Sequence, residues 1–303
     1  MLRQNDEEVI CMKYLFAVNP VSGKNKAKNK MNQLAKLLRV HKYNFMLYET
    51  QPYHYADDLR KIIIENNITH VFAVGGDGTA HEVVNAVVGL DVFFGVVPFG
   101  SGNDFARVMN LPKKITKVFQ MIDNNDHVVI DVGQVGKRYF INYISFGFDV
   151  EILKKSFKLK KLFHGKLAYI LSVLITLIMY KCSDYYIDGQ EKKLYLATIH
   201  NGKYYGGGMK INPFAEVNDG VLDLCTVKKL NRFKLLTLFP SVFVGKHFRF
   251  KKYVNFSSKR HFSIATKAPV VSCGVDGELY ELNTPVEVSV VAESVKMIRY
   301  KSH

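Results

Sequence analysis

The stretch Val74-Gly75-Gly76-Asp77-Gly78-Thr79 lies between an apolar run, His70–Val74, and a segment with apolar residues at helical spacing, Ala80–Val88. This order predicts a buried strand, a glycine turn and a helix. The three glycines let the backbone turn sharply and let a ligand approach the main chain closely. The helix would begin with unpaired N–H groups that face the turn, which is a favourable place for phosphate. The stretch therefore predicts an α/β fold with a phosphate-binding turn.

Asp77 is the unusual residue of this turn. A carboxylate among phosphate-binding amides repels phosphate, unless a divalent metal lies between them or the carboxylate takes a proton from an incoming hydroxyl. The alternative is a purely structural turn, because Asp-Gly is a common turn dipeptide and Asp or Thr is an ordinary helix cap. The turn alone leaves both interpretations open.

Two further loops favour a ligand site. Asn19-Pro20-Val21-Ser22-Gly23-Lys24 follows the apolar run Tyr14–Val18, and the loop that starts at Pro98 and continues to Arg107 follows Phe93–Val97. In an open α/β sheet, ligands bind beyond the carboxyl ends of the parallel strands. The pattern therefore predicts that three loops rich in Gly, Ser and Asn meet at one edge of a sheet.

Asn-Pro-x-Ser-Gly at 19–23, Gly-Gly-Asp-Gly-Thr at 75–79 and Pro-x-Gly-Ser-Gly-Asn-Asp-Phe-Ala-Arg at 98–107 resemble the motifs of the diacylglycerol kinase catalytic family. That family includes soluble bacterial diacylglycerol kinases, sphingosine kinases and ceramide kinases, and the resemblance covers nearly the whole chain. It implies a Rossmann-like α/β N-terminal domain of the NAD-kinase and diacylglycerol-kinase type, a β-sandwich C-terminal domain and an active site in the cleft between them.

Many short apolar runs after residue 127, interrupted by one helical segment at about 150–181, also indicate a sandwich. We place the domain boundary near 125, which gives domains 1–125 and 126–303. The resemblance implies that 293–303 returns to the first domain.

The resemblance implies ATP and Mg²⁺ as cofactors. The candidate nucleotide contacts are Asn19, Pro20, Ser22, Gly23, Thr50, Gly75, Gly76, Asp77, Gly78, Thr79, Glu82, Ser101, Gly102 and Asn103. Thr50 is included only because the family has a nucleotide-contacting threonine there. Glu82 has a simpler alternative, since an acid in the first turn of a helix is favoured by the helix dipole.

A second Asp-Gly lies in Gly274-Val275-Asp276-Gly277-Glu278. The structural alternative is a hairpin turn, which Asp-Gly between apolar strands strongly indicates. The resemblance implies catalysis, with Glu278 or Asp276 as proton acceptor and Asp77 as their partner through Mg²⁺ or water. The sequence leaves open which of these three carboxylates takes the proton.

A third Asp-Gly lies in Asn218–Asp223. The resemblance implies a structural Mg²⁺ that is bound by the Asp219 carboxylate and by the backbone carbonyls of Glu216 and Val221. A simple turn is the alternative.

The net charge of the 303-residue chain is +15, which indicates an anionic partner. Basic residues recur in three clusters: Lys154, Lys155, Lys158, Lys160, Lys161 and Lys166; Lys228, Lys229, Arg232 and Lys234; Lys246, Arg249, Lys251 and Lys252. Such clusters can be ordinary solvated faces, but interleaved apolar residues favour an anionic membrane surface. The apolar run at 167–180 is shorter than the ~20 residues of a spanning helix.

The four cysteines are scattered and the first residues are polar, so we expect a cytoplasmic protein that associates peripherally with the inner face of the membrane. No nucleic-acid motif supports binding to DNA or RNA. A homodimer is compatible with the sequence.

The leading hypothesis is therefore an ATP-dependent lipid kinase, with diacylglycerol as acceptor and phosphatidic acid as product. Phosphatidylglycerol, a sphingoid base, ceramide or a polyprenol are alternative acceptors. An NAD kinase shares Gly-Gly-Asp-Gly but gives no reason for the other two motifs. A catalytically silent membrane-binding module is a further alternative, against which the intact Asp77, Asp276 and Glu278 argue.

Overall fold

The computed structural model describes residues 12–23, 26–51, 54–100, 102–159 and 166–301. The first part of the chain alternates strands and helices. Its elements are β1 (Tyr14–Val18), α1 (Lys26–Val40), β2 (Phe45–Glu49), α2 (Ala56–Glu65), β3 (His70–Gly75), α3 (Asp77–Val87), β4 (Phe93–Pro98), α4 (Asp104–Val108) and α5 (Ile115–Asn124).

The four strands of this part are parallel, in the order β2-β1-β3-β4. Strands β1 and β3 are buried along their whole length, as expected for apolar runs covered by helices on both faces. Helix α1 contributes Ala27, Met31, Leu34 and Leu38, whose spacing places them on one buried face. The predicted α/β class of this region is confirmed.

The second part of the chain is mostly antiparallel. Its elements are β5 (His127–Val135), β6 (Arg138–Phe140), β7 (Tyr143–Gly147), α6 (Phe148–Leu159), α7 (Lys166–Met179), β8 (Ser183–Ile187), β9 (Gln190–His200), β10 (Leu222–Lys228), α8 (Arg232–Phe243), a 3₁₀ turn (His247–Arg249), β11 (Val254–Lys259), β12 (His261–Ala265), β13 (Val270–Val275), β14 (Glu278–Asn283) and β15 (Val286–Ile298). Strands β5–β10, β12, β13 and β15 enclose a second apolar core, to which Phe140, Phe146, Ile199 and Phe262 contribute.

Strand β15 connects the two parts. It pairs antiparallel with β12 and β5, and its end pairs parallel with β4, where Lys296 lies opposite Phe93. Val295, Met297 and Ile298 are buried in the core of the first part. The strands of both parts therefore belong to one hydrogen-bonded network, which fixes the orientation of the two cores.

Three helices, α6, α7 and α8, cover one face of the second part and enclose a third apolar core. The sequence predicted one helical segment at about 150–181, where the structure has the two helices α6 and α7. The helix α8 at 232–243 was not predicted. Its start is fixed by Asn231, whose side chain accepts a hydrogen bond from the Lys234 N–H at 2.8 Å. Among the described residues, no helix combines the length and apolar character that crossing a bilayer requires.

Candidate functional site

Backbone hydrogen bonds hold the predicted loops together at the carboxyl edge of the parallel sheet. The Asn19 N–H donates to the Val74 carbonyl at 3.0 Å, and the Gly100 N–H donates to the Gly75 carbonyl at 2.8 Å. These bonds continue the parallel ladders past the strand ends. The three glycine-rich loops therefore meet, as the sequence predicted.

Two glycines of these loops are required by close contacts. A Cβ on Gly100 would lie 2.3 Å from the Gly76 Cα, so the two backbones can touch only without a side chain there. A Cβ on Gly102 would lie 2.7 Å from an oxygen of the Asp77 carboxylate. The glycines therefore bring the second and third loops into contact around Asp77.

A cavity of about 300 Å³ opens between these loops. It is lined by Asn19, Val21, Ser22, Tyr55, Gly76, Gly78, Thr79, Glu82 and Glu278. We call it the glycine cleft. Seven of these residues are among the sequence candidates, and they converge from the first loop, the central turn and the β13–β14 turn.

Two residues that line the glycine cleft, Tyr55 and Thr79, have buried hydroxyl groups, and the buried hydroxyl group of Thr50 lies beside that of Tyr55. They lie next to one another, and none makes a well-formed hydrogen bond with another described residue. Glu82 also faces this wall, where it accepts a hydrogen bond from the Ala56 N–H at the start of α2 at 3.3 Å. The hydroxyl groups of Tyr55 and Thr79 therefore retain unused hydrogen-bonding capacity next to the cleft.

Other candidates shape the loops without lining the cleft. Pro20 and Gly23 lie in the first turn, with Gly23 at a φ of 60°. Asn103 is in the left-handed region at a φ of 58°, and its side-chain amide donates to the Gly100 carbonyl at 2.8 Å. Ser101 lies outside the described residues.

Asp77 lies at the first position of α3 and is half-buried. Its Oδ1 accepts hydrogen bonds from the backbone N–H groups of Asp104 and Phe105, at 2.6 and 3.2 Å, and so caps the start of α4. Burial, followed by the charge of Asp104, raises the pKa of Asp77 to about 7. The carboxyl group is therefore poised to bind a cation or a proton near neutral pH.

An acidic pocket of about 150 Å³ lies on the other side of Asp77. Four aspartates line it: Asp77, Asp104, Asp149 and Asp276. Burial also raises the pKa of Asp104, whose carboxylate pairs with Arg107 and accepts the Gly207 N–H at 2.7 Å. Burial raises the pKa of Asp149 to about 6, although the Ser145 hydroxyl donates to it at 2.6 Å.

The Asp276 carboxylate is engaged on both oxygens. It accepts hydrogen bonds from the backbone N–H groups of Ile141, Asn142 and Tyr143 at 2.9 to 3.0 Å. Its Oδ2 also lies 3.1 Å from Nδ1 of His81, and both side chains of this pair are fully buried. Asp276 therefore ties the β13–β14 turn to the start of β7 and to α3.

Glu278 follows this turn and lies against the glycine cleft. Its Oε1 is 3.5 Å from the position that a Cβ on Gly78 would occupy. The anchored turn thus brings a carboxylate from the second part of the chain to the central glycine turn of the first.

An apolar cavity adjoins the acidic pocket. Tyr143 and Leu153 line the acidic pocket, and Tyr205 and Ile152 line the apolar cavity. The rings of Tyr143 and Tyr205 stack with centroids 4.4 Å apart. The apolar cavity is narrow, about 50 Å³, and is enclosed by side chains of α6, α7 and α8 and of the underlying strands.

The third Asp-Gly loop lies apart from these cavities. Asp219 accepts the Val221 N–H at 3.2 Å, and Asp131 accepts the Gly220 N–H at 2.7 Å. Burial, together with the charges of Asp131 and Glu216, raises the pKa of Asp219. Among the described residues of this loop, no group of three or more His, Cys, Asp or Glu side chains is arranged to hold a metal, and the Mg²⁺ at Asp219, Glu216 and Val221 stays a prediction.

Sequence reasoning assigned no role to His81, Asp104 or Asp149. Asp104 stands inside a quoted motif and follows Asn103, so its position was a usable signal. His81 and Asp149 gave no local signal, because their partners are distant in sequence or lie in a pocket formed only by the fold.

Two family models match the chain. The diacylglycerol kinase catalytic domain matches residues 13–135, and the YegS C-terminal NAD kinase beta sandwich-like domain matches residues 142–299. The sandwich that the sequence predicted for the second part is thereby confirmed.

Curated relatives share much of this length. The diacylglycerol kinase of Bacillus subtilis (strain 168) is 32% identical over 238 residues, which cover 76% of this chain and 78% of the relative. The diacylglycerol kinase of Mycobacterium tuberculosis (strain ATCC 25618 / H37Rv) is 28% identical over 257 residues, which cover 81% and 82%.

The crystal structure of a diacylglycerol kinase from Bacillus anthracis str. Sterne superimposes with a TM-score of 0.75 at 23% identity, covering 95% of this chain and 96% of that one. At 23% identity, this superposition supports a shared fold and nothing further. With the sequence matches, the three loops at the sheet edge and the carboxylates around them, this chain belongs to the diacylglycerol kinase catalytic-domain family.

Proposed function

We propose that this protein transfers the γ-phosphoryl group of ATP to a lipid hydroxyl, with diacylglycerol as the first acceptor and phosphatidic acid as the product. The observation that carries the proposal is the order of three adjoining cavities: the glycine cleft, the acidic pocket and the apolar cavity. They offer sites for a polyphosphate, a reacting centre and a hydrocarbon chain, in that order.

The glycine cleft suits a nucleotide. Backbone around Gly76 and Gly78 is open to a ligand, and α3 starts at this point, so its N–H groups and dipole favour phosphate. Tyr55 and Thr79, which line the cleft, also have hydroxyl groups with unused hydrogen-bonding capacity for polar groups of the same ligand. ATP is the phosphate donor that fits this arrangement and the family.

Mg²⁺ fits the carboxylates of Asp77 and Asp104, which are adjacent and whose pKa values are both raised by desolvation. Among the described residues, no group of three or more His, Cys, Asp or Glu side chains is arranged to hold a metal alone. That suits Mg²⁺, which usually takes one or two carboxylates and completes its shell with phosphate oxygens and water. When bound, the ion would neutralise charge on the transferred phosphoryl group.

We assign Glu278 as the proton acceptor. Asp276 already accepts three backbone N–H groups and contacts His81, so it serves to position the turn. The lipid hydroxyl oxygen forms a bond to the γ-phosphorus, the bond to the ADP oxygen breaks, and the hydroxyl proton passes to Glu278.

The apolar cavity is the proposed site for the lipid chain. A cavity of about 50 Å³ is too narrow for a long chain, so α8 would have to move outward when the lipid binds. The diacylglycerol kinases among the relatives favour diacylglycerol as acceptor. Phosphatidylglycerol, sphingoid bases, ceramide and polyprenols also combine a hydroxyl with an apolar chain. An NAD kinase would have no use for this cavity.

We further propose that the protein meets its lipid at the anionic inner face of the cytoplasmic membrane, as a peripheral protein. The net charge of +15 supports this location.

The test is a phosphoryl-transfer assay with labelled ATP and Mg²⁺ on mixed micelles of diacylglycerol and a bacterial lipid extract, with products identified by mass. Labelled phosphatidic acid would support the proposal, and a different labelled lipid would identify a different acceptor. NADP formed from NAD, without labelled lipid, would overturn it. Glu278→Gln should lower kcat at least about 100-fold, as expected for a lost general base. Glu281→Gln, a change at an exposed carboxylate on the same strand, serves as control.

A further inference from the structure

Helix α8 has two apolar stripes. The inner stripe, Leu235, Leu238 and Val242, is buried and lines the apolar cavity. The outer stripe is Phe233, Leu236 and Phe243, which are 82%, 47% and 51% exposed. Phe233 and Leu236 are three residues apart, and Leu236 and Phe243 are seven apart, so all three lie on one side of the helix. A helix that is apolar on both sides is typical of a buried or membrane-associated position.

The segment around α8 is also strongly basic. Between residues 224 and 252 the chain has eight lysines and arginines and no aspartate or glutamate. All eight are exposed: Lys228, Lys229, Arg232, Lys234, Lys246, Arg249, Lys251 and Lys252. Lys234 and Lys252 both approach the ring of Tyr253, so a cation of the first turn of α8 comes close to one that follows the helix.

The neighbouring helix α7 also has exposed apolar residues. In α7, Leu177 lines the apolar cavity together with the inner stripe, and the next two residues, Ile178 and Met179, are exposed. We call the outer stripe of α8 with Ile178 and Met179 the apolar face. It lies directly over the proposed lipid-chain site.

We propose that the apolar face docks on an anionic phospholipid bilayer, with Phe233, Leu236 and Phe243 in the boundary between headgroups and acyl chains. The surrounding cations would lie at the phosphate level. An exposed apolar stripe flanked by Lys and Arg is the pattern of an interfacial helix, and each cation near an anionic surface contributes about 1 kcal/mol. The proposal rests on the proposed function only in explaining how a lipid reaches the apolar cavity.

Charge distinguishes this partner from two others. A second copy of the chain, docked symmetrically through the same patch, would place two groups of eight cations against each other, which is unfavourable. Nucleic acid would satisfy the cations but would leave the exposed Phe233 and Phe243 in water. Only an anionic lipid surface matches both the charge and the apolar stripe.

The chain contains no tryptophan, so Phe233→Trp introduces a single tryptophan on the apolar face. The control is Val40→Trp, at a residue that is 75% exposed on α1. With vesicles of phosphatidylglycerol and phosphatidylcholine, the Phe233→Trp emission should shift to the blue and be quenched by bromine-labelled lipid. The Val40→Trp emission should not change. Equal responses of the two variants, or no response, would overturn the proposal.

A second experiment measures vesicle flotation of Phe233→Ser with Phe243→Ser, against Val40→Ser with Ile64→Ser, two exposed apolar residues elsewhere. The α8 variant should bind anionic vesicles at least about tenfold more weakly, because burial of even one Phe side chain in the bilayer contributes at least that factor to the binding constant. Wild-type binding that is equally strong on pure phosphatidylcholine would refute the charge argument. Conversion of a dimer to a monomer by the α8 variant would identify the face as a subunit interface and overturn the proposal.

Phosphorylation of a water-soluble short-chain diacylglycerol separates this inference from the proposed function. The α8 variant should keep wild-type kcat on that substrate and lose activity only on vesicles. Lipid insertion without any lipid phosphorylation would refute the proposed function alone. Phosphorylation without insertion would refute the docking proposal alone.

Discussion

Asp77→Asn should stabilise the metal-free protein at pH 8 and have little effect on its stability at pH 5. The pKa of Asp77 is raised to about 7 by burial and by Asp104, from an ordinary value of 3.8. The folded protein therefore keeps a proton on Asp77 that the unfolded chain has already released. This carboxyl group makes folding less favourable as the pH rises from about 4 to about 7.

The magnitude follows from the shift in pKa. Each pH unit between the two pKa values changes the free energy of unfolding by about 1.4 kcal/mol, so the step from pH 5 to pH 7 is on the order of 3 kcal/mol. The amide oxygen of the variant can still accept the N–H groups of Asp104 and Phe105, although weaker neutral hydrogen bonds should cost about 1 kcal/mol. The net gain at pH 8 is therefore about 2 kcal/mol.

The assay is urea denaturation of wild type and variant at pH 5 and pH 8 in the presence of EDTA. The control is Asp57→Asn, a change at an exposed carboxylate on α2. The same Asp77→Asn variant should lose at least about 100-fold in kcat, because removing a group that stabilises transition-state charge costs that much. A stability difference between Asp77→Asn and wild type that is the same at both pH values would refute the argument from burial and Asp104.

Three other changes test separate features. His81→Ala should lower the free energy of unfolding by about 1 to 3 kcal/mol and also lower kcat, because Asp276 loses a buried partner. Urea denaturation and kinetics measure both effects, and their recovery in His81→Asn would indicate that a hydrogen bond positions Asp276. Equal values in the wild type and both variants would contradict this role. Asp219→Asn should abolish a rise in Tm with added Mg²⁺, and a rise that persists would remove this loop from the metal site. Leu238→Phe should raise KM for long-chain diacylglycerol several-fold and leave KM for ATP unchanged, whereas equal changes in both would argue against a lipid chain in the apolar cavity.

The parts of the site that the sequence predicted are those that depend on short segments. Glycines, a preceding apolar run and a following helical pattern identify each loop, and parallel strands then bring the loops to one edge. Gly76 and Gly100 show why this works: their close approach follows from the strand order and needs no particular distant side chain.

The parts that the sequence did not predict depend on contacts between distant segments. Asp276 appeared as a turn residue or a catalytic acid, and its hydrogen bonds to residues 141–143 arise only when β13 pairs with β7. His81 reaches Asp276 across 195 residues, which no local pattern encodes. Helix α8 was missed because its Phe and Val residues are also typical of strands, and its Pro240 is unusual inside a helix.

The pairing of β15 with β4 has a consequence for how the protein is made. Asp91, just before β4, and Lys296 of β15 form an ion pair across 205 residues of chain. During synthesis β4 therefore emerges from the ribosome long before the strand that covers its open side. Until then its backbone N–H and C=O groups form an exposed strand edge of the kind that promotes aggregation. A chain shortened before β15 would keep that edge permanently, so the solubility of the first part depends on residues encoded near the other end of the sequence.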